Sequence, residues 1–402
     1  MTSDAITTWL QPLQPILDPA EGVDWRRLKA LEAALDAVLA VHPVGADLPA
    51  GSERSHRLRV IRRELAECGH IDATGEATMF QMLAQFVCGY RDIDLRDAIG
   101  LGHGQLIARH GSAPTRQRWI PRLRAGELAG IAVTEPHGGS RPGATRTHAL
   151  PGPDGTWLVS GGKTWISRLT EAAVFVVFFR APDGRLVAAA IDATDPGLHR
   201  QLITPTGLAG WTWGTLDLTG VPVYPTDVLA GDGMTLLRQH LAAYRPLVTA
   251  TALAGAAAVF DTVTTTLTAR QVASDLPRLR DSALVTIGRA HAQLVTALLG
   301  AVAASHLADA EQDQAESWVA AMKAHGIDTA NQTTAELALL LGATGFRADS
   351  PIAKTHRDLT GLLYADGIHD SLYRTAGKHH TAPADRSIPE PRGRSKPAPI
   401  TA

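Results

Sequence analysis

Two short runs, Thr134-Glu-Pro-His-Gly-Gly-Ser140 and Lys163-Thr-Trp-Ile-Ser167, decide how this chain is read. In the first, Gly138 and Gly139 allow the backbone to approach a neighbour more closely than a side chain would permit. In the second, Trp165 offers a flat apolar face, and the hydroxyls of Thr134 and Ser167 stand on either side of the pair as hydrogen-bonding groups. Taken singly, each run is equally a glycine turn or a core tryptophan between strands. Their order and spacing carry the information.

Working outward, 402 residues are too many for one small core, so two or three domains are expected. Hydrophobic residues make up 45% and charged residues 19%, a globular balance. A net charge of -2 gives no sign of a nucleic-acid or membrane partner. The two cysteines, Cys68 and Cys88, lack C-x-x-C or Cys/His spacing, so neither a metal site nor a disulfide framework is expected. Met1 to Leu17 carries no basic n-region or long apolar run, and no uninterrupted apolar run reaches membrane-span length. A cytoplasmic setting is the expectation.

Before about Gly130 the periodicity is helical: Leu58 to Ala66, Thr78 to Val87 and Thr115 to Leu123 place apolar residues three and four apart. From Ile131 the period changes. Thr156 to Ser160, Lys163 to Ser167, Val174 to Phe179 and Leu186 to Ile191 read as strands, punctuated by Pro-Asp-Gly turns. From about Met234 the chain turns helical again, with alanine-rich segments at Leu247 to Leu267, Leu284 to Leu307, Trp318 to His325 and Thr329 to Leu341. The expected class is α+β. Residues 1-130 form an N-terminal helical domain, 131-233 a barrel-like β domain, 234-380 a C-terminal four-helix bundle and 381-402 a Pro-rich, charged, disordered tail.

In these features the chain resembles the acyl-CoA dehydrogenase family, whose middle domain carries T-E-P-x-x-G-S-D and then G-x-K-x-W-I-T. Arg141 replaces the usual acidic residue and Ser167 the usual Thr. Helical, then β, then bundle is also that family's domain order. The resemblance implies FAD as cofactor, stacked on Trp165, with Thr134, Gly139, Ser140 and Ser167 at its polar edge. It further implies a homodimer or homotetramer formed through the bundle. In that assembly Arg270 and the turn Gly342-Ala-Thr-Gly-Phe346, which resembles G-G-x-G-F, complete a neighbour's cofactor site through Gly342 and Gly345. The segment after Arg270 departs from R-x-x-F-G, and Asp281 and Leu339 stand where glutamines are usual.

Pro351-Ile-Ala-Lys-Thr-His-Arg-Asp358 resembles the family's P-x-x-K-x-x-R-D, and Asp366-Gly367 follows where many members read Y-E-G-T. The resemblance therefore implies Asp366 as catalytic base. The α-proton of a thioester is weakly acidic and needs a desolvated carboxylate, while flavin N5 accepts a hydride from the β-carbon. An aspartate is shorter than glutamate by about 1.5 Å, and a misplacement of that size can cost about 100-fold. Other members carry the base just before a characteristic Arg. Here that stretch is Tyr244-Arg245-Pro246, so Tyr244 is no alternative and Arg245 matches the residue that fixes the catalytic loop. A bland reading of Asp366 is an Asp-Gly turn.

Arg116, Arg118, Arg122 and Arg124 read as a solvated helix face or a docking patch for an acidic carrier protein or CoA phosphate. His103 and His110 are too far apart for a helical metal pair, and no metal is expected. Arg91-Asp-Ile-Asp-Leu-Arg-Asp97, His137-Gly-Gly139 and Ala365-Asp-Gly367 look more like acyl-ACP dehydrogenases of polyketide extender-unit pathways, which oxidise a small acyl group on a carrier protein. The expected function is FAD-dependent oxidation of a small acyl thioester on acyl carrier protein or CoA, with electron-transfer flavoprotein or oxygen as acceptor. A flavin monooxygenase on the same fold, or a non-catalytic flavin-binding relative, are the alternatives.

Overall fold

The computed structural model describes residues 4–71, 77–139, 141–273, 278–310 and 315–381. The expected tail lies outside the described residues, apart from Thr381. The N-terminal third is helical: α1 (Gln14–Leu17), α2 (Trp25–Val41), α3 (Ser52–Glu67), α4 (Thr78–Arg91), α5 (Gln105–His110) and α6 (Ala113–Arg124). The three helices expected there fall within α3, α4 and α6. Asp24 and Ser112 start α2 and α6 as N-caps, each accepting from a backbone N–H three residues on.

Seven strands follow: β1 (Leu128–Ala132), β2 (His148–Pro151), β3 (Trp157–Ser167), β4 (Ala172–Arg180), β5 (Leu186–Asp192), β6 (Leu198–Ile203) and β7 (Trp213–Val223). They form one mixed sheet. β1 runs parallel to β4 and β5 antiparallel to it, while β2, β3, β7 and β6 form an antiparallel ladder. The two halves meet through a single pair, His148 with Arg180, so the sheet folds over itself. β4 is apolar along almost its whole length because both its faces are buried. Phe175, Val177 and Phe179 point into the core between the two halves, and Val174, Val176 and Phe178 point at α5 and α6.

The rest is helical: α7 (Gly233–Val272), α8 (Asp281–Asp309), α9 (Ala315–Leu339), α10 (Pro351–Leu362) and α11 (His369–Thr381). Asp232 caps α7, accepting from the Thr235 amide. α7, α8 and α9 pack on one another, α10 packs on α7 and α9, and α4 from the N-terminal part lies along α7. Small residues allow this closeness. A Cβ on Gly89 of α4 would lie 2.7 Å from the Thr251 carbonyl oxygen of α7. Helices α7 and α8 contain 18-residue windows apolar and long enough to cross a membrane, with mean hydropathy 1.5 and 1.3. In the sequence they are broken by scattered polar residues. In the fold, two thirds of the α7 window is buried within the protein.

Candidate functional site

The two signature runs come together at one edge of the sheet. The Thr134 carbonyl accepts from the Thr164 amide at 2.9 Å. Below it, the Glu135 carboxylate meets the Lys163 ammonium at 2.8 Å, and both side chains are almost fully buried. Glu135 also accepts from the amides of Arg146 and Thr147 and from the Thr147 hydroxyl. Burial alone would raise its pKa, but these donors, Lys163 first, hold it down at about 2. The Glu of the first motif and the Lys of the second are therefore a buried pin that fixes the loop on the strand.

Trp165 stands on the other side of that pin. The β3–β7 register slips between Lys163 and Ile166, and Trp165 has a φ of 56°, in the left-handed region. In a regular strand Lys163 and Trp165 would share a face. The extra residue instead turns Lys163 and Ile166 inward, at 0% and 2% exposure, and leaves Trp165 outward at 55%. A strained backbone that presents a bare indole is a feature to be explained by binding. Gly139 faces the Thr134 side chain, where a Cβ would lie 3.1 Å from Cγ2. Ser167 accepts from the Arg168 guanidinium at 2.9 Å. Ser140 lies outside the described residues. Thr134, Gly139, Trp165 and Ser167 thus supply an apolar stacking face, hydroxyls and a backbone without side-chain bulk, the donor set that a flavin ring needs.

Arg168 connects this edge to the loop that carries Asp366. Buried and at φ 58°, it forms an ion pair with Asp97 and reaches the Tyr244 hydroxyl at 3.4 Å. Asp366 sits after α10 at φ 53°, followed by Gly367 at φ 111°. Two cations hold the main chain there. Arg245 Nε of α7 donates to the Asp366 carbonyl at 3.1 Å, and Lys323 Nζ of α9 donates to the Leu362 and Gly367 carbonyls, both at 3.0 Å. The Asp366 carboxyl is half-buried. Burial raises its pKa, and the charges of Lys323, Arg168, Arg245 and Arg96 only partly offset that. A carboxyl raised by burial and ringed by cations suits a general base. Asp366 does occupy an Asp-Gly turn, as its bland reading held, and the turn is what the two cations clamp.

Lys323 was not singled out in the sequence, because a lysine on an alanine-rich helix looks like any surface lysine. Fully buried, its ammonium is pushed down to about 7. Lys323→Met is expected to raise the Asp366 pKa further, since one cation facing the carboxylate is lost. The acid limb of the pH–rate profile for flavin reduction then moves to higher pH, and an unmoved limb would show that Lys323 acts on the loop only mechanically.

A cavity of about 560 Å³ opens between the N-terminal helices and α7, lined by Gln85, Arg96, Arg109, His240 and Tyr244 among others. His103 Nδ1 and His240 Nε2 are 2.9 Å apart, and both rings pack on Tyr244. Burial lowers both pKa values, His240 to about 3, so the pair is neutral near pH 7. His103 thus pairs with His240, which the sequence does not reveal because 137 positions separate them.

The remaining sequence-derived residues are not at this edge. Arg270 lies in the last turn of α7, roughly 37 Å along the helix from Arg245 at 1.5 Å per residue. Gly342 and Gly345 lie in the exposed turn after α9. Leu337 and Leu341 share an apolar cluster with Val263 and Leu267, so Arg270 and the glycine turn lie towards the same end of the bundle. Phe346, Val272 and Leu339 are exposed there at 92%, 82% and 79%.

Asp92, Asp94 and Asp358 cluster closely enough to hold a cation, and the protein supplies one. Lys354 Nζ lies 2.6, 3.1 and 2.6 Å from them, with Arg54 at 2.8 Å from Asp92 and Asp94. Asp358 also accepts from the Leu208 amide. The P-x-x-K-x-x-R-D motif and the 91–97 segment are therefore a structural ion network joining all three parts of the chain. In the basic run of α6, Arg118 pairs with Asp192 and Arg122 with Glu127, and both lie over Trp119.

Residues 130–221 match the model of the acyl-CoA dehydrogenase middle domain, and residues 231–379 that of the acyl-CoA dehydrogenase C-terminal domain. Glutaryl-CoA dehydrogenase of Desulfococcus multivorans is 28% identical over 142 residues, 35% of this chain and 34% of that one. The aligned stretch is thus about a third of that relative's length. Glutaryl-CoA dehydrogenase of Mycobacterium smegmatis, solved in complex with FADH2, superposes with a TM-score of 0.76 at 19% identity, covering 92% of this chain and 98% of that one. The prolyl acyl carrier protein oxidase AnaB superposes at 0.72 with 17% identity, covering 88% and 98%. The two domain models together span more than half of the chain, which belongs to the acyl-CoA dehydrogenase family.

Proposed function

We propose that the protein is an FAD-dependent dehydrogenase that oxidises a small acyl thioester carried on CoA or an acyl carrier protein. The observation that carries this reading is the juxtaposition, through Arg168, of the exposed Trp165 edge with the clamped Asp366 loop. FAD bound at that edge supplies the hydride acceptor. Thr134, Gly139, Trp165 and Ser167 hold and orient the ring. Asp366 removes the α-proton of the thioester, and Arg245 and Lys323 keep its loop in place. The polar lining of the cavity, with Gln85, Arg96, His240 and Tyr244, suits a short polar acyl group better than a fatty one.

The carrier-protein handle and a role in polyketide extender-unit or other secondary-metabolite biosynthesis rest on the sequence texture around residues 91–97, 137–139 and 365–367. Electron-transfer flavoprotein or oxygen would reoxidise the flavin. The apolar patch of Val272, Leu339 and Phe346, beside Arg270 and the Gly342–Phe346 turn, supports a homodimer or homotetramer in which these residues complete a neighbour's cofactor site. Purification should yield a yellow protein, and Trp165→Ala should lower its FAD content severalfold by removing the stacking face. Unchanged FAD content in that variant, measured by absorbance after heat release, would place the flavin elsewhere.

A further inference from the structure

We propose that Asp328 of α9 is a positioning residue for the base loop: by gripping His369 and Tyr373 it fixes the loop's exit and so aims the Asp366 carboxyl. The inference rests on Asp366 being the base and extends that reading to a residue outside the cavity.

Residues 363–368 join α10 to α11, and α9 holds both ends of the segment. Lys323 donates to the carbonyls of Leu362 and Gly367. Asp328 stands one and a half turns further along α9, about 7.5 Å along its axis, and takes the first turn of α11. Its Oδ1 lies 2.7 Å from His369 Nδ1, and its Oδ2 accepts from the Tyr373 hydroxyl at 2.7 Å. His369 and Tyr373 are spaced i, i+4 on one face of α11, so a single carboxylate reaches both. Burial and the Lys323 charge lower the His369 pKa, so the ring is neutral near pH 7 and its Nδ1–H donates to Asp328. Its Nε2 is buried without a partner among the described residues, so Asp328 alone orients the ring through a hydrogen bond. Leu372, in the same turn, packs on Ala320 and Ala324 of α9.

This anchor matters because the loop is held in an unfavourable shape. Asp366 and Gly367 lie in left-handed backbone, at φ 53° and 111°. For an aspartate that conformation persists only where surrounding contacts fix it. The base precedes His369 by less than one helical turn, so a change in the backbone angles at 367 or 368 swings its carboxyl. Aspartate has no spare methylene to take up the error, and a misplacement of about 1 Å can cost about 100-fold. Asp328 also supports the other clamp. With Asp366 it favours the charged form of Lys323, against burial and the Arg245 charge. Asp328 itself is 45% exposed and is not among the residues that line the cavity, so its effect on the rate passes through the loop.

The test uses the FAD-loaded full chain. Anaerobic stopped-flow with propionyl, butyryl and succinyl thioesters, on CoA and on carrier protein, reads flavin reduction. Hydrogen exchange of the peptide spanning 363–373 reads the loop. Asp328→Ala should slow reduction by about 10- to 100-fold, with half-saturating thioester concentration, FAD content and unfolding midpoint unchanged, and should speed exchange in that peptide. Asp328→Asn should recover most of the rate, because its amide oxygen accepts from His369 and its amide nitrogen donates to the Tyr373 hydroxyl. Should Asp328→Ala fail to fold, His369→Ala against His369→Asn reads the same bond: slow for Ala, largely recovered for Asn, whose amide can replace the Nδ1–H. Reduction as fast as in the parent, or a rate loss that merely tracks lost FAD or lost folded protein, overturns the proposal. The same holds if exchange in 363–373 is unchanged. Asp366→Asn, run alongside, separates the two readings. If it is slow while Asp328→Ala is fast, only the positioning role falls. If it is as fast as the parent, or no thioester bleaches the flavin, the base reading falls and takes the proposal with it.

Discussion

Asp366→Asn is expected to leave the fold and the bound flavin unchanged and to slow flavin reduction by about 10³-fold, within the usual range for loss of a general base. The amide preserves the shape of the side chain and the three main-chain contacts from Arg245 and Lys323, since those are made to carbonyls and not to the carboxylate. What it removes is basicity, which only the transition state uses, so substrate binding should change little. Stopped-flow reduction under anaerobic conditions separates the two. The pH dependence of the parent has a definite sign. Burial raises the Asp366 pKa, so reduction is slow where the carboxyl is protonated and rises with pH through a value above the usual 3.8. That acid limb should vanish in Asp366→Asn. A variant that reduces its flavin as fast as the parent would leave Asp366 as a turn residue and bring the monooxygenase alternative forward.

The second large effect concerns stability. Lys163→Met should destabilise the protein by about 3–5 kcal/mol, because it strands the buried Glu135 carboxylate without its cation. The pKa of Glu135, held at about 2 by that partner together with its other donors, should rise. The loop bearing Thr134 and Gly139 is tied to β3 by this pair and by one backbone bond. FAD affinity should therefore fall together with stability. Glu135→Gln is the milder variant, since the amide oxygen can still accept from Lys163 and from Thr147, and only the bond from the Arg146 amide is lost. Denaturant titrations of the two variants, with FAD content measured alongside, check both statements. A Lys163→Met protein as stable as the parent would mean that the pair contributes nothing net.

Much of the fold was legible because local signals agreed. The α7, α8 and α9 segments showed small apolar residues at helical spacing, and β4 showed an unbroken apolar run that only a doubly buried strand sustains. β1, β2, β6 and β7 were not marked out by their sequence. β6 reads Leu-His-Arg-Gln-Leu-Ile and is mostly exposed, so neither apolar alternation nor β-branched residues announce it. In the site, Trp165 and Asp366 stood out because they fell at the offsets of motifs that the chain shares with the acyl-CoA dehydrogenase family. Arg168, Lys323 and His240 did not. Their significance lies in contacts across the chain, with Asp97, with the Leu362 and Gly367 carbonyls and with His103. Glu135 and Lys163 lay inside the quoted motifs, yet their pairing emerged only once the strand bulge turned Trp165 outward and Lys163 inward.

The 91–97 segment teaches the opposite lesson. It was read for its likeness to one branch of the family, and four of its acids and bases also have structural partners: Asp92 and Asp94 hold Arg54 and Lys354, Asp97 holds Arg168, and Arg91 holds Asp36. Arg96 alone in that run faces the cavity with unfilled donors.

The most direct test is anaerobic mixing of the FAD-loaded protein with a panel of short acyl thioesters on CoA and on carrier protein, followed by absorbance and product mass. Bleaching of the flavin, with a product lacking two hydrogen atoms relative to its thioester, is the expected result. A flavin that stays oxidised with every thioester, and turns over only when chemically reduced and exposed to oxygen, would contradict the assignment as a dehydrogenase.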